Sequence, residues 1–313
     1  MKLIYLLLIS SFLLLCCIAN IDIIDPNAKS DMKLAKVTSY SLEDNSYFNI
    51  AFDEKVEIID LEINKEKHHA RSIGNKFTFP LDQEIKRGEI CIISLTARKP
   101  NGNITRASFR LIGKNLEIPK VLINEVSIAG TRSAPDRIEL LILEDGNLAG
   151  MILTDKIAST LENKFILPEL DVKHGDLVVV YWDSIAPKEN EILPNKKTCY
   201  FLQAEQRTTL SSTKGIVVLY SEDKGDIQDA IIYNNDFTSS SYGSETQEKN
   251  ADYLIKRGQW IGRAIDSSDV TSSRVLARLP SGYDSNAADD WFVTKARSST
   301  FGRYNVYEPY TEE

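Results

Sequence analysis

The sequence predicts an all-β protein, two β-sandwiches in tandem behind an N-terminal export signal. Three observations carry that expectation. Residues 34–112 consist of short apolar runs with strand alternation, each closed by a turn signal. A second region opens on Val121–Ser127, VLINEVS, and continues as strand-like runs almost to the C-terminus. A length of 313 residues exceeds one ordinary small domain but suits two globular modules plus a targeting segment.

Composition sets the class. A hydrophobic content of 42% and a charged content of 26% lie close to globular averages and exclude wholesale disorder and a polytopic membrane protein. The net charge of -8 is unevenly spread: residues 34–112 carry 12 Lys/Arg and 11 Asp/Glu, whereas residues 113–313 carry 22 and 31. Phosphate backbones are bound by clustered cations that release counterions, so this acidic second half argues against nonspecific nucleic-acid binding.

Residues 1–20 read as an export signal. Lys2 precedes a Leu/Ile-rich run over 3–15, broken only by Ser10 and Ser11, which is too short for a membrane span. Cys16-Cys17 follow, and this placement resembles the lipobox of bacterial lipoproteins, with Leu14 at -3 and Cys16 at -1 of Cys17. The family places Gly, Ala or Ser at -1, so Cys16 is the alternative lipidation site, and cleavage after Ala19 is a third. The resemblance implies a signal peptide over 1–16, lipid on Cys17, a polar tether over 17–33, and membrane attachment in the cell envelope. Each buried CH₂ of an acyl chain contributes about 0.8 kcal/mol to such an anchor.

In the first module the strands are expected at 47–52, 56–63, 76–79, 90–97 and 104–111. Gly74-Asn75, Arg87-Gly88 and the turn at Pro100-Asn101-Gly102 separate them, the last because Asn-Gly tolerates positive φ. The phrase 81–97 resembles bacterial Ig-like domains of exported proteins, which implies an Ig-like sandwich over 34–112. His68-His69 points in strand geometry to opposite faces and lacks a third ligand, so it reads as a solvated hairpin rather than a metal site. Cys91 alternates with Ile93, Leu95 and Ala97 and is expected to be a buried thiol. Cys91 and Cys199, the only cysteines after the signal, form no disulfide framework.

Residues 113–119, with Pro119, read as a short linker. The second module then presents VLINEV, and after a polar loop Arg137-Ile-Glu-Leu140. Ile138, Leu140 and Ile142 share one face, and Val178 with Val180 form a comparable stripe, enough for the inner faces of two packed sheets. Trp182 and Trp291 are expected to close that core. LINEV followed by an IEL strand resembles the start of a lamin-tail domain. Asn147-Leu-Ala-Gly150, the Phe165-Ile-Leu-Pro168 element, His174-Gly175 before the 177–181 run, and the 215–220 and 229–233 pair follow in the family's order. So do Arg278, Asp289-Asp290-Trp291, Thr300-Phe-Gly302 and Asn305.

That resemblance implies a lamin-tail β-sandwich over 120–308, an Ig-like fold marked by Asn124, Glu125, Glu139, Gly150, Trp291, Gly302 and Asn305, with a tail at 309–313. Phe301 stands where the family usually has Pro. Residues 183–212 and 235–259 read as surface insertions, and the Ser/Tyr-rich 237–242 stretch as a candidate contact surface.

Glu125 and Glu139 are the most promising residues for chemistry, since two strand carboxylates can divide acid and base roles. Both belong to the marker set of a mostly non-catalytic family, which favours a hydrogen-bonding or register role. Asp284, Asn286, Asp289 and Asp290 form an acidic loop of oxygen ligands that fails the EF-hand spacing, so it reads as a self-bonded turn rather than a calcium site. The same holds for Asp223, Asp226 and Asp229. No G-x-S-x-G, P-loop or H-E-x-x-H appears, and three histidines leave few bases. The expectation is a non-enzyme without catalytic residues or cofactor: a lipid-anchored envelope protein serving adhesion, scaffolding or interaction with an extracytoplasmic protein. The alternative is an accessory or targeting subunit for a secreted nuclease or phosphatase, with metal or nucleic-acid binding.

Overall fold

The computed structural model describes residues 34–312 apart from 69–70, 158–163, 183–188, 205–208, 224, 237–241, 243 and 281. The export signal, Cys16, Cys17, the tether, His69 and all of the 237–242 stretch but Tyr242 lie outside the described residues. The protein is all-β, built mainly of strands with one α-helix among the described residues. It divides into two compact units. The first holds the described residues up to Ile85 together with Ile90–Leu111, and the second holds Lys86–Glu89 and Ile112–Glu313.

In the first unit, β1 (Val37–Glu43), β2 (Tyr47–Ile63), β3 (Glu66–His68), β4 (Ser72–Pro80), β5 (Ile90–Arg98) and β6 (Ile104–Ile112) form one six-stranded sheet. Its path is β1-β2-β5-β6, and β3 and β4 also pair with β2. Sequence reading separates 47–52 from 56–63 at the charged triplet Asp53-Glu54-Lys55. The structure runs them into one strand, which takes up the triplet as an irregularity between Ala51 and Val56 against β4. A second irregularity between Ile58 and Asp60 against β5 inverts the inward phase. Phe48, Ile50, Phe52, Val56 and Ile58 are therefore followed inward by Leu61 and Ile63. Cys91 is fully buried beside Ile93, Leu95 and Ala97 in the core these strands enclose. His68 does lie in a hairpin, β3 returning along β2 with His68 opposite Leu61, but its side chain is largely covered rather than solvated and its Nδ1 lies 3.1 Å from Asp82.

The second unit is a sandwich-type pair of sheets. Its strands are β7 (Val121–Ser127), β8 (Arg137–Ile142), β9 (Gly146–Asn147), β10 (Ile152–Thr154), β11 (Phe165–Ile166), β12 (Asp171–Val172) and β13 (Leu177–Tyr181). They continue with β14 (Glu191–Ile192), β15 (Thr198–Gln203), β16 (Lys214–Tyr220) and β17 (Ile227–Asn234). After helix α1 (Glu245–Lys256) come β18 (Ile265–Asp266), β19 (Leu276–Arg278) and β20 (Trp291–Val293). One sheet has seven strands in the order β14-β15-β13-β8-β7-β19-β20, the other five in the order β11-β10-β16-β17-β18, and β9-β12 form a ribbon.

The main core draws Ile138, Leu140, Val178 and Val180 from the first sheet and Ile152, Val218 and Ile232 from the second, with Trp182 and Trp291 packed into it. The two apolar stripes read from the sequence do not belong to opposed sheets. Val178 pairs with Leu140 and Val180 with Ile138, so they lie side by side on one sheet, and β10, β16 and β17 supply the opposing layer.

Both segments read as surface insertions contain regular structure. In 183–212, β15 alternates well enough to bury Cys199 and joins β13 in parallel, while β14 turns back along it. In 235–259, Ser244 caps α1 by accepting from Gln247 N, Glu245 and Glu248 lie at the positive end and Lys256 at the negative end. The helix buries Ala251 and Leu254 in the main core. The spacing Ser244-x-x-Gln247 is a sequence signature of a helix N-terminus, of which the structure shows the serine half.

Candidate functional site

The strands of the seven-stranded sheet present a second, outer face whose rows follow from the register. Glu125, Glu139, Val179 and Phe201 form one row, and Ser127, Arg137, Tyr181 and Gln203 the next. Leu177, Val179 and Tyr181 make β13 apolar on this face too, and with Leu193 and Cys199 they form a separate small core. A strand buried on both faces reads as a continuous apolar run, LVVVY. The segment 300–305 provides cover, with Phe301 packed on that small core.

Glu125 and Glu139 are fully buried and directly opposed on antiparallel strands, a spacing at which like charges repel. Segment 300–305 supplies donors to both. Thr300 N donates to Glu125 Oε1 at 2.9 Å, and Thr300 Oγ1 approaches Oε2 at 3.1 Å. Gly302 N donates to Glu139 Oε2 at 2.6 Å, and Asn124 Nδ2 to Glu139 Oε1 at 2.7 Å. Gly302 reaches this position with φ +80°, where a side chain is disfavoured. Asn305 closes the network by donating to the carbonyls of Asn124 at 3.0 Å and Arg278 at 2.7 Å.

Burial pushes the Glu125 carboxyl up to about 7, against the Thr300 donors and the Arg137 charge that pull it down. Burial and then the charge of Glu125 hold Glu139 well above the ordinary carboxylate range. This arrangement fastens the C-terminal segment across β7 and β8.

A second polar centre staples the two sheets together. Strand β19 pairs with β7 only at Glu125 and Val126, which leaves the backbone of Ile123 without a ladder partner on that side. Asp229 of β17 takes the Ile123 N–H at 2.6 Å, and Arg278 Nε donates to the Ile123 carbonyl at 2.8 Å. Arg278 then reaches Asp229 at 2.6 Å and Asp284 at 3.0 Å, with its guanidinium 4.8 Å from the Trp291 ring. Burial raises Asp229 to about 6 against the pull of Arg278.

Of the marker residues, Asn124, Glu125, Glu139, Gly302 and Asn305 thus converge in one network. Trp291 stands apart against Arg278, and Gly150 lies in the turn before β10 with φ +80°. The acidic loop does not focus on a common centre. Asp284 accepts from Arg278 and from Asn286 N, Asn286 donates to Gly258, Asp289 lies 3.7 Å from Arg263, and Asp290 takes Ser285 and Ala287 N–H groups. Asp223 pairs with Lys164 at 3.2 Å, while Asp229 is buried with Arg278, so these two aspartates serve separate partners.

The second unit also carries an open groove of about 620 Å³, lined in part by Asp145, Asp171, Lys173, Asp176, Lys197 and Tyr200. Its carboxylates are engaged: Asp176 accepts from Lys173 N and Thr198 N, Asp145 from His174 N, and Asp171 from Asn147 Nδ2. Lys173, Lys196 and Lys197 have no ion-pair partner among the described residues. They and Tyr200 line the same groove. Tyr304 of the C-terminal segment borders the same region, donating to Gly175 O and accepting from Asn195 Nδ2.

Sequence reasoning named Thr300 and Arg137 only as motif neighbours and missed their roles, and it missed the pairing of Asp229 with Arg278. A signal existed for the pair, because each is a charge set in an otherwise apolar strand, IQDAIIYN and LAR. A family model described as "protein second domain" matches residues 119–293, more than half of the chain and wholly within the second unit. No curated protein and no solved structure matches. On the extent of that match, the chain belongs to the family described as "protein second domain".

Proposed function

We propose that this chain is a non-catalytic cell-envelope lipoprotein whose second unit, a lamin-tail-like sandwich following an Ig-like one, is an interaction module for an extracytoplasmic protein. One observation supports this reading most directly. The two carboxyls best suited to acid–base work lie under segment 300–305 with donors on their oxygens, whereas the groove at Lys173, Lys196, Lys197 and Tyr200 is open. Contact through such a surface requires no chemistry at the buried pair.

A photo-crosslinking residue placed at Lys196 in intact cells is expected to give a discrete adduct that the same residue at Lys249, on the exposed side of α1, does not. Identical adduct patterns at both positions overturn the groove as the contact surface. Metal-dependent phosphodiester hydrolysis by the purified protein, lost on Glu125→Gln, overturns the non-catalytic reading. For the anchor, Cys17→Ser is expected to abolish labelling by fatty acid and release the protein from membranes. Continued labelling transfers the role to Cys16 or to another anchor.

A further inference from the structure

Arg137 differs from Arg278, the fully buried arginine of the second unit's core. Arg278 uses Nε, Nη1 and Nη2 on a carbonyl and two carboxylates. Arg137 is half-buried, its Nε is fully covered, and that Nε has no hydrogen-bond partner. Its guanidinium carbon lies against two aromatic rings, 4.1 Å from the centroid of Phe301 and 5.9 Å from that of Tyr181. Glu125 and Glu139 sense its charge, yet neither lies within ion-pair distance, and both already accept from Thr300, Gly302 and Asn124.

A guanidinium carries five donors in a planar fork matched to carboxylate and phosphate oxygens, and leaving a covered donor unmatched costs about 1–3 kcal/mol. Contact with the two rings restrains the guanidinium and so prepares the fork for such an acceptor. The register adds Ser127 on one side of Arg137 and Tyr181 on the other, in a row that ends at Gln203. Trp182 Nε1 is likewise without a partner, but Trp182 follows Tyr181 and points to the main core, so one ligand does not reach both.

We propose that the row Ser127, Arg137 and Tyr181, roofed by Phe301, is a binding site for an oxyanion group, a carboxylate or phosphate, anchored by Arg137. This site lies on the outer face of the sheet and is independent of the groove. The family match ends at residue 293, before Phe301, so the roof of the site is outside the matched span.

The test is a nitrogen-15 NMR titration of arginine side chains in the full chain, with the Arg137 Nε–H signal assigned by its loss in Arg137→Lys. Inorganic phosphate and acetate are titrated separately. The expected result is a saturable shift of the Arg137 signal with at least one of them, larger than the shift of the exposed Arg263. Saturation by phosphate alone identifies a phosphate group, and saturation by acetate identifies a carboxylate. Measured by calorimetry with the same anion, Arg137→Lys, folded by its thermal melt, is expected to bind at least about tenfold more weakly than the parent because a lysine lacks the planar fork. An Arg137 signal that moves with neither anion, or no more than Arg263, overturns the proposal whether or not the variant folds. So does unchanged affinity in a folded Arg137→Lys.

Discussion

Asp229→Ala is expected to lower the unfolding free energy of the second unit by about 3–5 kcal/mol, the range for a buried ion pair that loses one partner. The reason is positional. Asp229 is fully buried, accepts from Ile123 N, Ala230 N and Arg278, and joins β17 of one sheet to β7 and β19 of the other. Its removal leaves the buried guanidinium of Arg278 with Asp284 as its remaining carboxylate and orphans a backbone N–H of strand β7. A loss of that size is a large share of the roughly 5–15 kcal/mol that holds an ordinary domain. Urea denaturation followed by Trp fluorescence measures it. Asp229→Leu combined with Arg278→Met is expected to be less damaging than Asp229→Ala alone, since the double change removes the unpaired charge with the pair. A single variant within about 1 kcal/mol of the parent contradicts the staple.

Stability is expected to fall as the pH rises from 5 to 8. Glu125 releases its proton near 4.5 in the unfolded chain and near 7 in the folded one. Folding therefore binds a proton between those values, and the stability present below 4.5 is lost as the pH climbs through the window, by about 3 kcal/mol for this residue. Glu139, raised further by burial and by the facing Glu125, extends the loss to higher pH. In the protonated form Glu125 donates to Thr300 Oγ1, whose own proton is taken by Asn305 Oδ1 at 3.0 Å, so the C-terminal segment keeps its bonds. Glu125→Gln, whose amide makes the same donation at every pH, is expected to flatten the decline between pH 5 and 7 and to exceed the parent in stability at pH 8. Urea midpoints measured across that range decide the matter, and an unchanged slope in Glu125→Gln places the pH response elsewhere.

Local pattern made much of the fold legible. Alternation at Cys91, Ile93, Leu95 and Ala97 is a property of neighbouring residues, and it correctly located a buried face. The break at Asp53-Glu54-Lys55 misled because a charged triplet ends most strands, while here an irregularity lets β2 carry it outward and continue. The helix α1 was overlooked because the polarity of 235–259 outweighed its capping signature, although burial of Ala251 and Leu254 needs only a narrow apolar stripe.

Residue pattern alone identifies an all-β chain, VLINEV as a strand, and Glu125 and Glu139 as unusual carboxylates within apolar runs. What those carboxylates face follows from long-range packing. Alternation specifies which side of a strand is buried, but not which strand lies beside it or which distant segment covers it. Only the closure of Thr300 and Gly302 onto β7 and β8, about 170 residues along the chain, supplied the donors that turn a candidate acid–base pair into a buried fastening. The same holds for Arg278 and Asp229, whose opposite charges were readable separately and became a staple only when two sheets brought them to 2.6 Å.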